Sequence, residues 1–433
     1  MKSLSYTILA LSTLLMVSCN KLGSDKIEDP DPINVSSPTP TVEISQVSLT
    51  EAQKGYVDSG NNMAFKFLQG LYDNDNVICS PLSLQYALSM VANGASGETL
   101  QEIIDFLGYG EEGIAALNQY SKILMEQLPA VDLEVAMKVV NGILVSEESP
   151  ILQSYENLVE QNYYAAVESM DFSDPVKIAS RINDWASRST DGYIDNILDP
   201  SQISGDAVAY IMNALYFKAK WAGTEDAPMF LDENTISDNF YLNNGSAVNA
   251  EMMRNSDFHQ YAEMDGYRVL ALPYAQGKYN MYILLPDGND VDGLITKLQQ
   301  TTWSEILASL KQDAMVHVKL PKFEIENKFD FKETLMALGM VTPFNSLEAQ
   351  FDRMFDSNEQ FVIGKVIQKS KIGVTEWGTE AGSVTVVEME NAADPGEGPE
   401  YDEVNFHVDH PFIFVIGEKS SGTILFEGVV TRP

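Results

Sequence analysis

Few residues of this 433-residue chain have the types and spacing that enzyme chemistry requires. The segment Gly108-Tyr-Gly-Glu-Glu-Gly113 has the glycine spacing of a dinucleotide-binding turn. In such a turn, backbone N–H groups that follow a strand hold a pyrophosphate. Here a helical pattern precedes the segment, and Glu111 and Glu112 would repel an anion. We therefore predict a loop between two helices.

The four histidines offer neither a metal site nor a catalytic centre. They are His259, His317, His407 and His410. None has the spacing of two histidines four residues apart that is typical of zinc enzymes. No Gly-x-Ser-x-Gly elbow marks a serine hydrolase. We therefore predict that the protein is not an enzyme, that it binds no metal or cofactor, and that His410 is structural.

The segment from Glu376 to Asn391 alternates between two kinds of residue. One set is uncharged, and it consists of Thr379, Ala381, Ser383, Thr385, Val387 and Met389. All charges fall on the intervening positions, and this period of two is typical of a strand half buried in a sheet. Residues 392–403 are acidic, with Pro and Gly at turn spacing, and predict an exposed loop. The region therefore indicates a chain that can move between a loop and a strand.

The sequence Gly378-Thr-Glu-Ala381 resembles the hinge of the reactive loop of the serpins, a family of serine protease inhibitors. Further blocks resemble the same family, at residues 76–83, 182–185, 213–221, 284–287, 320–323, 410–414 and 422–428. Several dispersed blocks in the right order are more specific than any single motif. The resemblance covers residues 49–433 and implies an α+β serpin fold. Helices would pack on large, mostly antiparallel sheets, with an exposed reactive loop at about residues 376–405.

The resemblance implies that the chain is a suicide-substrate inhibitor of serine proteases. The target protease would cleave the loop and form a covalent acyl complex, and the loop would then insert as a strand into the main sheet. Inward residues of such a strand must be small and uncharged, and proline is excluded because it cannot donate a backbone hydrogen bond. The segment before Pro395 meets both requirements. The alternative is a non-inhibitory surface binding protein on a serpin scaffold.

Individual positions take roles from the same resemblance. The hinge comprises Glu376, Gly378, Thr379, Glu380 and Ala381. The region that must open during insertion comprises Ser80, Ser83, Asn213 and, beneath the point of entry, Trp221. Gln368 stands where many serpins carry a histidine in this region. Because an amide also donates and accepts hydrogen bonds, we expect insertion to survive this difference.

The reactive bond is predicted from the spacing usual in serpins. Counting from Glu376 gives the bond between Ala392 and Ala393. The loop is longer than usual, so Val387, Met389, Glu390 and Tyr401 stay open as alternatives. No Lys or Arg lies between Lys371 and Lys419. We therefore expect an elastase-like or subtilisin-like target rather than a trypsin-like one.

The N-terminus predicts export and lipid attachment. In residues 1–18, Lys2 precedes an apolar run that is too short to span a membrane. The run ends in Leu15-Met-Val-Ser-Cys19, which resembles a bacterial lipobox, although an ordinary signal peptide is the alternative. The acidic, proline-rich residues 19–48 favour an extended tether. We expect a bacterial outer-membrane lipoprotein, periplasmic or at the cell surface, that is anchored in the lipid membrane through Cys19.

The formal net charge of −36 arises from 27 basic and 63 acidic residues. No Lys/Arg cluster provides a footprint for phosphates, so we do not expect nucleic acid as a partner. The expected partners are the target protease and the membrane, and we expect a monomer. If Cys19 carries lipid, only Cys79 remains, and no intramolecular disulfide can form. The apolar residues around Cys79 predict a buried thiol rather than a reactive one.

The secondary structure that must position these residues is predicted to change from mainly helices to mainly strands along the chain. After a helical pattern that starts near Leu49, periodicity predicts helices at residues 82–91, 98–107, 114–128, 151–168 and 176–197. Ser80 and Pro81 predict the start of the first of these. Strands are predicted at residues 76–79, 207–217, 267–272, 279–285, 315–323, 361–374 and between 412 and 429. Helices followed by strands indicate an α+β fold, and we predict one domain at residues 49–433.

Overall fold

The computed structural model describes residues 37–433, except 111–112, 225–226, 313, 356, 358 and 380–401. Its helices are α1 (Glu51–Leu71), α2 (Pro81–Gly94), α3 (Gly97–Phe106), α4 (Gly113–Gln127), α5 (Gln153–Tyr163), α6 (Pro175–Ser189), α7 (Val291–Leu298), α8 (Trp303–Ser309) and α9 (Lys332–Ala337). No helix in this part of the chain has the length and apolar character needed to cross a membrane.

The strands follow the same chain order. They are β1 (Val77–Cys79), β2 (Ala136–Ser146), β3 (Ala166–Met170), β4 (Ala209–Lys220), β5 (Gly223–Thr224), β6 (Ala227–Pro228), β7 (Ile236–Tyr241), β8 (Ala247–Phe258), β9 (Gln260–Met264), β10 (Tyr267–Tyr274), β11 (Tyr279–Pro286), β12 (Ala314–Pro321), β13 (Phe323–Asp330), β14 (Ile367–Thr375), β15 (Gly378–Thr379), β16 (Asp402–His407), β17 (Phe412–Glu418) and β18 (Ile424–Val430).

Three large sheets and one short hairpin organise these strands. The main sheet has the order β13-β14-β15-β4-β2-β3, and a second six-stranded sheet has the order β1-β18-β17-β11-β10-β9. A four-stranded sheet has the order β16-β12-β8-β7, and β5 pairs with β6. The β2–β3 and β12–β16 pairs are parallel, while the other strand pairs are antiparallel. The predicted α+β class with large, mostly antiparallel sheets is confirmed.

Local capping fixes where α2 begins beneath the main sheet. The Ser80 hydroxyl accepts a hydrogen bond from the backbone N–H of Ser83, and Pro81 occupies the first helical turn. A serine cap satisfies a backbone donor that the helix cannot pair, and proline there costs no hydrogen bond. The helix is largely buried between the main sheet and β18. The cap therefore fixes the positions of Ser80 and Ser83 beneath the main sheet.

Strand β11 is an almost continuous apolar run because both of its faces are buried. Met281 and Ile283 pack into the large cluster that includes α2 and the main sheet. Tyr282 and Leu284 face a second cluster, formed with α1, α7 and α8. Since both faces of the strand are covered, no polar residue is needed on either face.

Three predicted elements differ from the observed ones. The helix predicted at 151–168 ends at Tyr163, because Tyr164 takes a left-handed conformation, and residues from Ala166 form β3 instead. The helix predicted at 176–197 ends at Ser189, and left-handed Asp191 and Gly192 follow it. The strand predicted at 361–374 begins only at Ile367. Strand β2 was not predicted from the sequence.

The folded domain begins before residue 49, where the sequence predicted its start. The N–H of Ile44 donates to the carbonyl of Ala130 at 2.9 Å, and the N–H of Val47 donates to the Ser420 hydroxyl at 2.9 Å. Val47 is buried in the large cluster. Residues 44–48, which were assigned to the tether, are therefore bound to the domain by backbone hydrogen bonds and apolar contact.

Candidate functional site

The hinge forms the short strand β15 in the middle of the main sheet. Gly378 and Thr379 pair with Thr375 and Val374 of β14 on one side. On the other side they pair with Lys220 and Ala219 of β4. Thr379 is 3% exposed. The first predicted hinge residues are therefore a buried part of the sheet, between two strands that would otherwise be neighbours.

Gly378 has a backbone that other residues rarely adopt. Its φ is +136°, and a Cβ atom added there would lie 2.0 Å from the carbonyl oxygen of Ala219. Only glycine combines this dihedral angle with such a close approach of two backbones. The residue type at 378 is therefore set by the entry of the chain into the sheet.

Aromatic side chains support the hinge from below. Trp221 stacks on Tyr274 with ring centroids 4.6 Å apart and an interplanar angle of 6°. The Trp221 indole N–H donates to the carbonyl of Thr375 at 2.8 Å, and the hydroxyls of Tyr274 and Thr379 are hydrogen-bonded. Burial raises the pKa of Tyr274, so its hydroxyl stays neutral. Trp221 thus lies at the entry point, and Tyr274 adds a contact that no sequence pattern predicted.

Glu376 is a buried carboxylate with two partners. Lys322 Nζ lies 3.0 Å from Glu376 Oε2, and the Thr235 hydroxyl donates to Oε1 at 2.7 Å. Burial raises the pKa of Glu376, but the hydrogen bonds from Thr235 and Lys322 outweigh burial and leave the pKa below its ordinary value. The carboxylate is therefore charged and held in place. Lys322 lies in a sequence block already noted, whereas Thr235 carried no signal.

The residues predicted to open during insertion meet beneath the middle of the main sheet. Ser83 donates a hydrogen bond to the Asn213 side chain, and Asn213 donates to Asn141 of β2 at 2.6 Å. The Ser80 hydroxyl donates to the carbonyl of Leu425 at 2.7 Å. This network connects α2, the main sheet and β18. The sequence blocks contain Ser80, Ser83, Asn213 and Leu425, but not Asn141.

Gln368 links β14 to the start of α2 through both ends of its amide. Its carbonyl oxygen accepts from the Ser80 N–H at 2.8 Å, and its amide nitrogen donates to the Ser80 carbonyl at 2.9 Å. Both bonds use a neutral group, so they do not depend on pH between 5 and 8. The expectation that insertion survives with an amide in this position stays a prediction.

A slot runs down the main sheet below the hinge. In the described part of the chain, β4 and β14 both pair with β15 but form no ladder with each other. An upper cavity of about 50 Å³ reaches from Thr379 to Asn213 and Gln368. A lower cavity of about 550 Å³ continues from Asn213 and Gln368 towards Ala209 and Val366. The slot lies between β4 and β14 and continues the line of β15, so one further strand would fit there.

Comparisons with known proteins agree with this architecture. The profile of the family described as "Serpin (serine protease inhibitor)" matches residues 58–433. The chain belongs to the serpin family. Serpin-Z1C of Triticum aestivum is 33% identical over 370 residues, which is 83% of this chain and 90% of the relative. Serpin-ZX of Arabidopsis thaliana is 30% identical over 387 residues, 86% of this chain and 96% of the relative.

Solved serpin structures in two states are similar to this chain. The thermophilic serpin tengpin in its native state has a TM-score of 0.78 and 27% identity, covering 93% of this chain and 100% of that one. A cleaved Serpin 42Da has a TM-score of 0.77 and 25% identity, covering 88% and 99%. Serpins are generally serine protease inhibitors.

Several predicted positions lie outside the described residues. They are Cys19, Glu380, Ala381, Ala392 and Ala393. The described site residues, from Ser80 to Thr379, all lie along the hinge and the slot. Their part in inhibition stays a prediction.

The other sequence features have structural roles. His410 shares a hydrogen bond of 2.9 Å with Asp409 and one of 3.0 Å with the carbonyl of Pro286. Residues Gly108 and Gly110 have positive φ angles between α3 and α4, as expected for a loop. Within the described residues, no three His, Cys, Asp or Glu side chains are grouped so that they could hold a metal ion.

A buried thiol and a buried carboxyl form a pair beside Ser80. Cys79 of β1 lies directly opposite Glu427 of β18, and its thiol donates to Glu427 Oε1 at 3.5 Å. Both residues are fully buried, and the other oxygen of Glu427 has no partner in the described part of the chain. Burial raises the pKa of the Cys79 thiol, so the prediction of an inert thiol agrees with the structure. Burial also raises the pKa of Glu427 to about 8.

Glu427→Gln is expected to remove a pH dependence from the stability of this serpin. In the unfolded chain Glu427 has an ordinary pKa near 4.5. The folded state therefore holds this proton more tightly, and the resulting stability is full below pH 4.5 and is lost as pH rises to about 8. The loss is at most about 1.4 kcal/mol per pH unit. Melting curves of both proteins from pH 5 to 9 measure it.

As pH rises from 5 to 8, the melting temperature of the wild type should fall relative to that of Glu427→Gln. Glu148→Gln, at an exposed turn, is the control and should show no such shift. Parallel pH profiles of Glu427→Gln and the wild type would mean that the buried carboxyl does not titrate in this range.

Proposed function

We propose that the protein inhibits serine proteases by cleavage of its loop and insertion of that loop into the main sheet. The observation that carries the proposal is the position of Thr379, which is already paired on both sides at the upper end of the slot. The chain beyond it therefore has a path with hydrogen-bonding strands on both sides. A loop that served only as a recognition element would not need such a path.

The register of β15 supports the proposal when it is continued down the slot. Thr385 follows Thr379 by six residues, and Asn213 and Gln368 precede Ala219 and Val374 by six. In an antiparallel register Thr385 therefore comes opposite both Asn213 and Gln368. A threonine suits this place, because its hydroxyl can hydrogen-bond with the amides there.

The same register accounts for the apolar residues on the other face of the loop. Val384 and Val386 come opposite Ala214 and Met212 of β4. Those two residues belong to the apolar cluster that α6 covers, together with Trp185. Two valines facing this cluster would bury apolar area rather than expose it. Both faces of the segment thus match the surroundings that insertion would give them.

The chemistry of the proposed step belongs to the protease. Its serine oxygen attacks the carbonyl carbon of Ala392, the bond to Ala393 breaks, and the released amine takes up a proton. The protease stays attached to Ala392 as an ester. Insertion then moves it to the far end of the main sheet before water can hydrolyse the ester. The exact bond is part of the proposal.

An elastase-like protease is expected to form the complex, and trypsin is not. Small apolar residues near the proposed bond suit elastase-like and subtilisin-like pockets, whereas a pocket with a buried carboxylate loses its ion pair. We expect pancreatic elastase to associate at least about a hundredfold faster than trypsin. A band that survives denaturing electrophoresis measures the complex, and sequencing of the released peptide should start at Ala393.

Two outcomes of this experiment would redirect the proposal. Clean cleavage by elastase without any stable complex would favour the non-inhibitory binding protein. Rapid trapping of trypsin with elastase unaffected would mean that the target class is wrong. A peptide starting elsewhere would move the reactive bond to Val387, Met389, Glu390 or Tyr401.

We also propose that Cys19 carries lipid and anchors the protein at a bacterial outer membrane. The support is the sequence of residues 1–19 alone, since they lie outside the described structure and the relatives named above are plant proteins. The mass of the mature N-terminal peptide tests it. An unmodified N-terminus at any residue would exclude the anchor.

A further inference from the structure

The lower cavity of the slot has mainly apolar walls from several separate parts of the chain. Helix α2 contributes Leu84, Leu88 and Val91, and α6 contributes Trp185. The other walls come from β4 and from the segments around Phe351 and at residues 361–367. Helices α2 and α6 and strand β4 thus form part of the walls, and loop segments form the rest.

The size and lining of this cavity are those of a small-molecule site. Its volume is about 550 Å³, within the range of roughly 300–1,000 Å³ found for ligand pockets. Most of the lining side chains are apolar, among them Leu84, Leu88 and Trp185. An apolar ligand fits these walls better than water does.

Two lysines lie at the rim of the cavity, and neither forms an ion pair within the described residues. Lys365 lines the rim, and its ammonium group donates to the carbonyl of Gln202 at 3.1 Å. Lys328 donates to the side-chain oxygen of the same Gln202 at 2.5 Å. Neither lysine is in an ion pair within the described residues, although the chain has 63 acidic residues. Asp206 also lines the rim, but its side chain is exposed to solvent.

The two lysines also repel each other and a third one. The pKa of Lys328 is lowered first by burial and then by the charges of Lys369 and Lys365. An anion between Lys328 and Lys365 would relieve this repulsion. The charge of Asp199 opposes this repulsion, and Lys369 is paired with Asp195 and Glu326. Lys328 and Lys365 are therefore the two lysines available to an anion at the rim.

We propose that the lower cavity binds a single amphiphilic carboxylate, such as a medium-chain fatty acid. The tail of about ten to twelve carbons would fill the apolar volume. The carboxylate would lie at the rim near Lys365 and Lys328. The bound tail would occupy the space into which residues 385–389 come in the continued register. Binding itself is independent of the proposed function, but this competition with the loop rests on it.

Equilibrium dialysis of the intact, uncleaved protein with radiolabelled laurate tests the binding. Octanoate, which is four methylenes shorter, is expected to bind at least about tenfold more weakly. Dodecyltrimethylammonium, with the same tail and the opposite charge, is expected not to compete. Lys365→Glu should weaken laurate binding at least about fivefold, while Lys66→Glu on the exposed face of α1 should leave it unchanged.

A second variant locates the tail. Ala87→Phe adds a ring to the cavity wall, and it is expected to abolish laurate binding without lowering the melting temperature by more than a few degrees. No saturable binding of laurate, equal binding of the cationic amphiphile, or unchanged binding in both Lys365→Glu and Ala87→Phe would each overturn the site.

Competition with the loop is measured separately, by the fraction of elastase trapped with and without saturating laurate. A lower trapped fraction with more cleaved serpin supports the competition. An unchanged fraction, with laurate demonstrably bound, would overturn it while leaving the site. If the protein traps no protease at all, the proposed function fails, and the dialysis result still decides the binding site.

Discussion

Cleavage of the loop is expected to raise the melting temperature of this serpin by more than about 10 °C. The strands β4 and β14 flank the slot without pairing to each other in the described residues. Insertion of residues 380–389 would give both strands a hydrogen-bonding neighbour. It would also bury Val384 and Val386 against the cluster beneath α6. Differential scanning calorimetry of the intact and cleaved proteins measures the change.

Removal of N-terminal residues is the control for this experiment. Removal of residues before 42 opens no path into the sheet, because the chain is bound to the domain from Ile44 onward. The melting temperature should then stay within a few degrees of the intact value. Equal melting of the loop-cleaved and intact proteins would contradict both the register and the proposed mechanism.

The parts of the fold that could be predicted depend on local chemistry. The start of α2 follows from Ser80 and Pro81, because a cap and a first-turn proline act within three residues. Strand β11 follows from an apolar run that two buried faces require. Both patterns lie within a short stretch of chain, so a single sequence is enough to predict these two elements.

The missed elements depend on contacts that are distant in sequence. Strand β2 is buried on both faces and lies between helical patterns, so it shows neither the period of a half-buried strand nor that of a helix. The end of α5 depends on a left-handed Tyr164, and tyrosine gives no signal for that conformation. The predicted helix therefore continued into β3.

The candidate site likewise contains residues that a local pattern identified and residues that only the fold brings together. Glu376, Gly378 and Thr379 were identified because the hinge is one continuous segment. The pairing of Cys79 with Glu427 joins strands that are 348 residues apart, and no local pattern contains it. The lower cavity and its lysines likewise come from separate segments, so only the folded chain brings Lys328 and Lys365 to the same Gln202.

Thr379→Arg is expected to convert the protein from an inhibitor into a substrate while leaving the fold intact. Thr379 is buried between β4 and β14, and its hydroxyl bonds to Tyr274 beneath the sheet. An arginine there cannot stay buried, because an unpaired buried charge costs several kcal/mol. We therefore expect Gly378 and Thr379 to leave the sheet in the variant while the rest of the fold is kept, so that insertion has to bury the charge. A barrier higher by about 3 kcal/mol slows insertion more than about a hundredfold. Hydrolysis of the ester would then precede insertion, and titration of elastase should show cleaved serpin in place of the trapped complex.

Glu380→Arg is the matched control, because it places the same side chain one residue further along. The alternation of the sequence predicts that position 380 faces away from Tyr274, so we expect its guanidinium group to stay in solvent. This variant should trap elastase nearly as well as the wild type. Thr379→Ser, which keeps a hydroxyl for Tyr274, should behave in the same way. If Thr379→Arg traps elastase at the wild-type ratio, the entry point is not at Thr379. If Glu380→Arg fails equally, charge near the hinge matters rather than burial, and the inward face of the strand has been assigned wrongly.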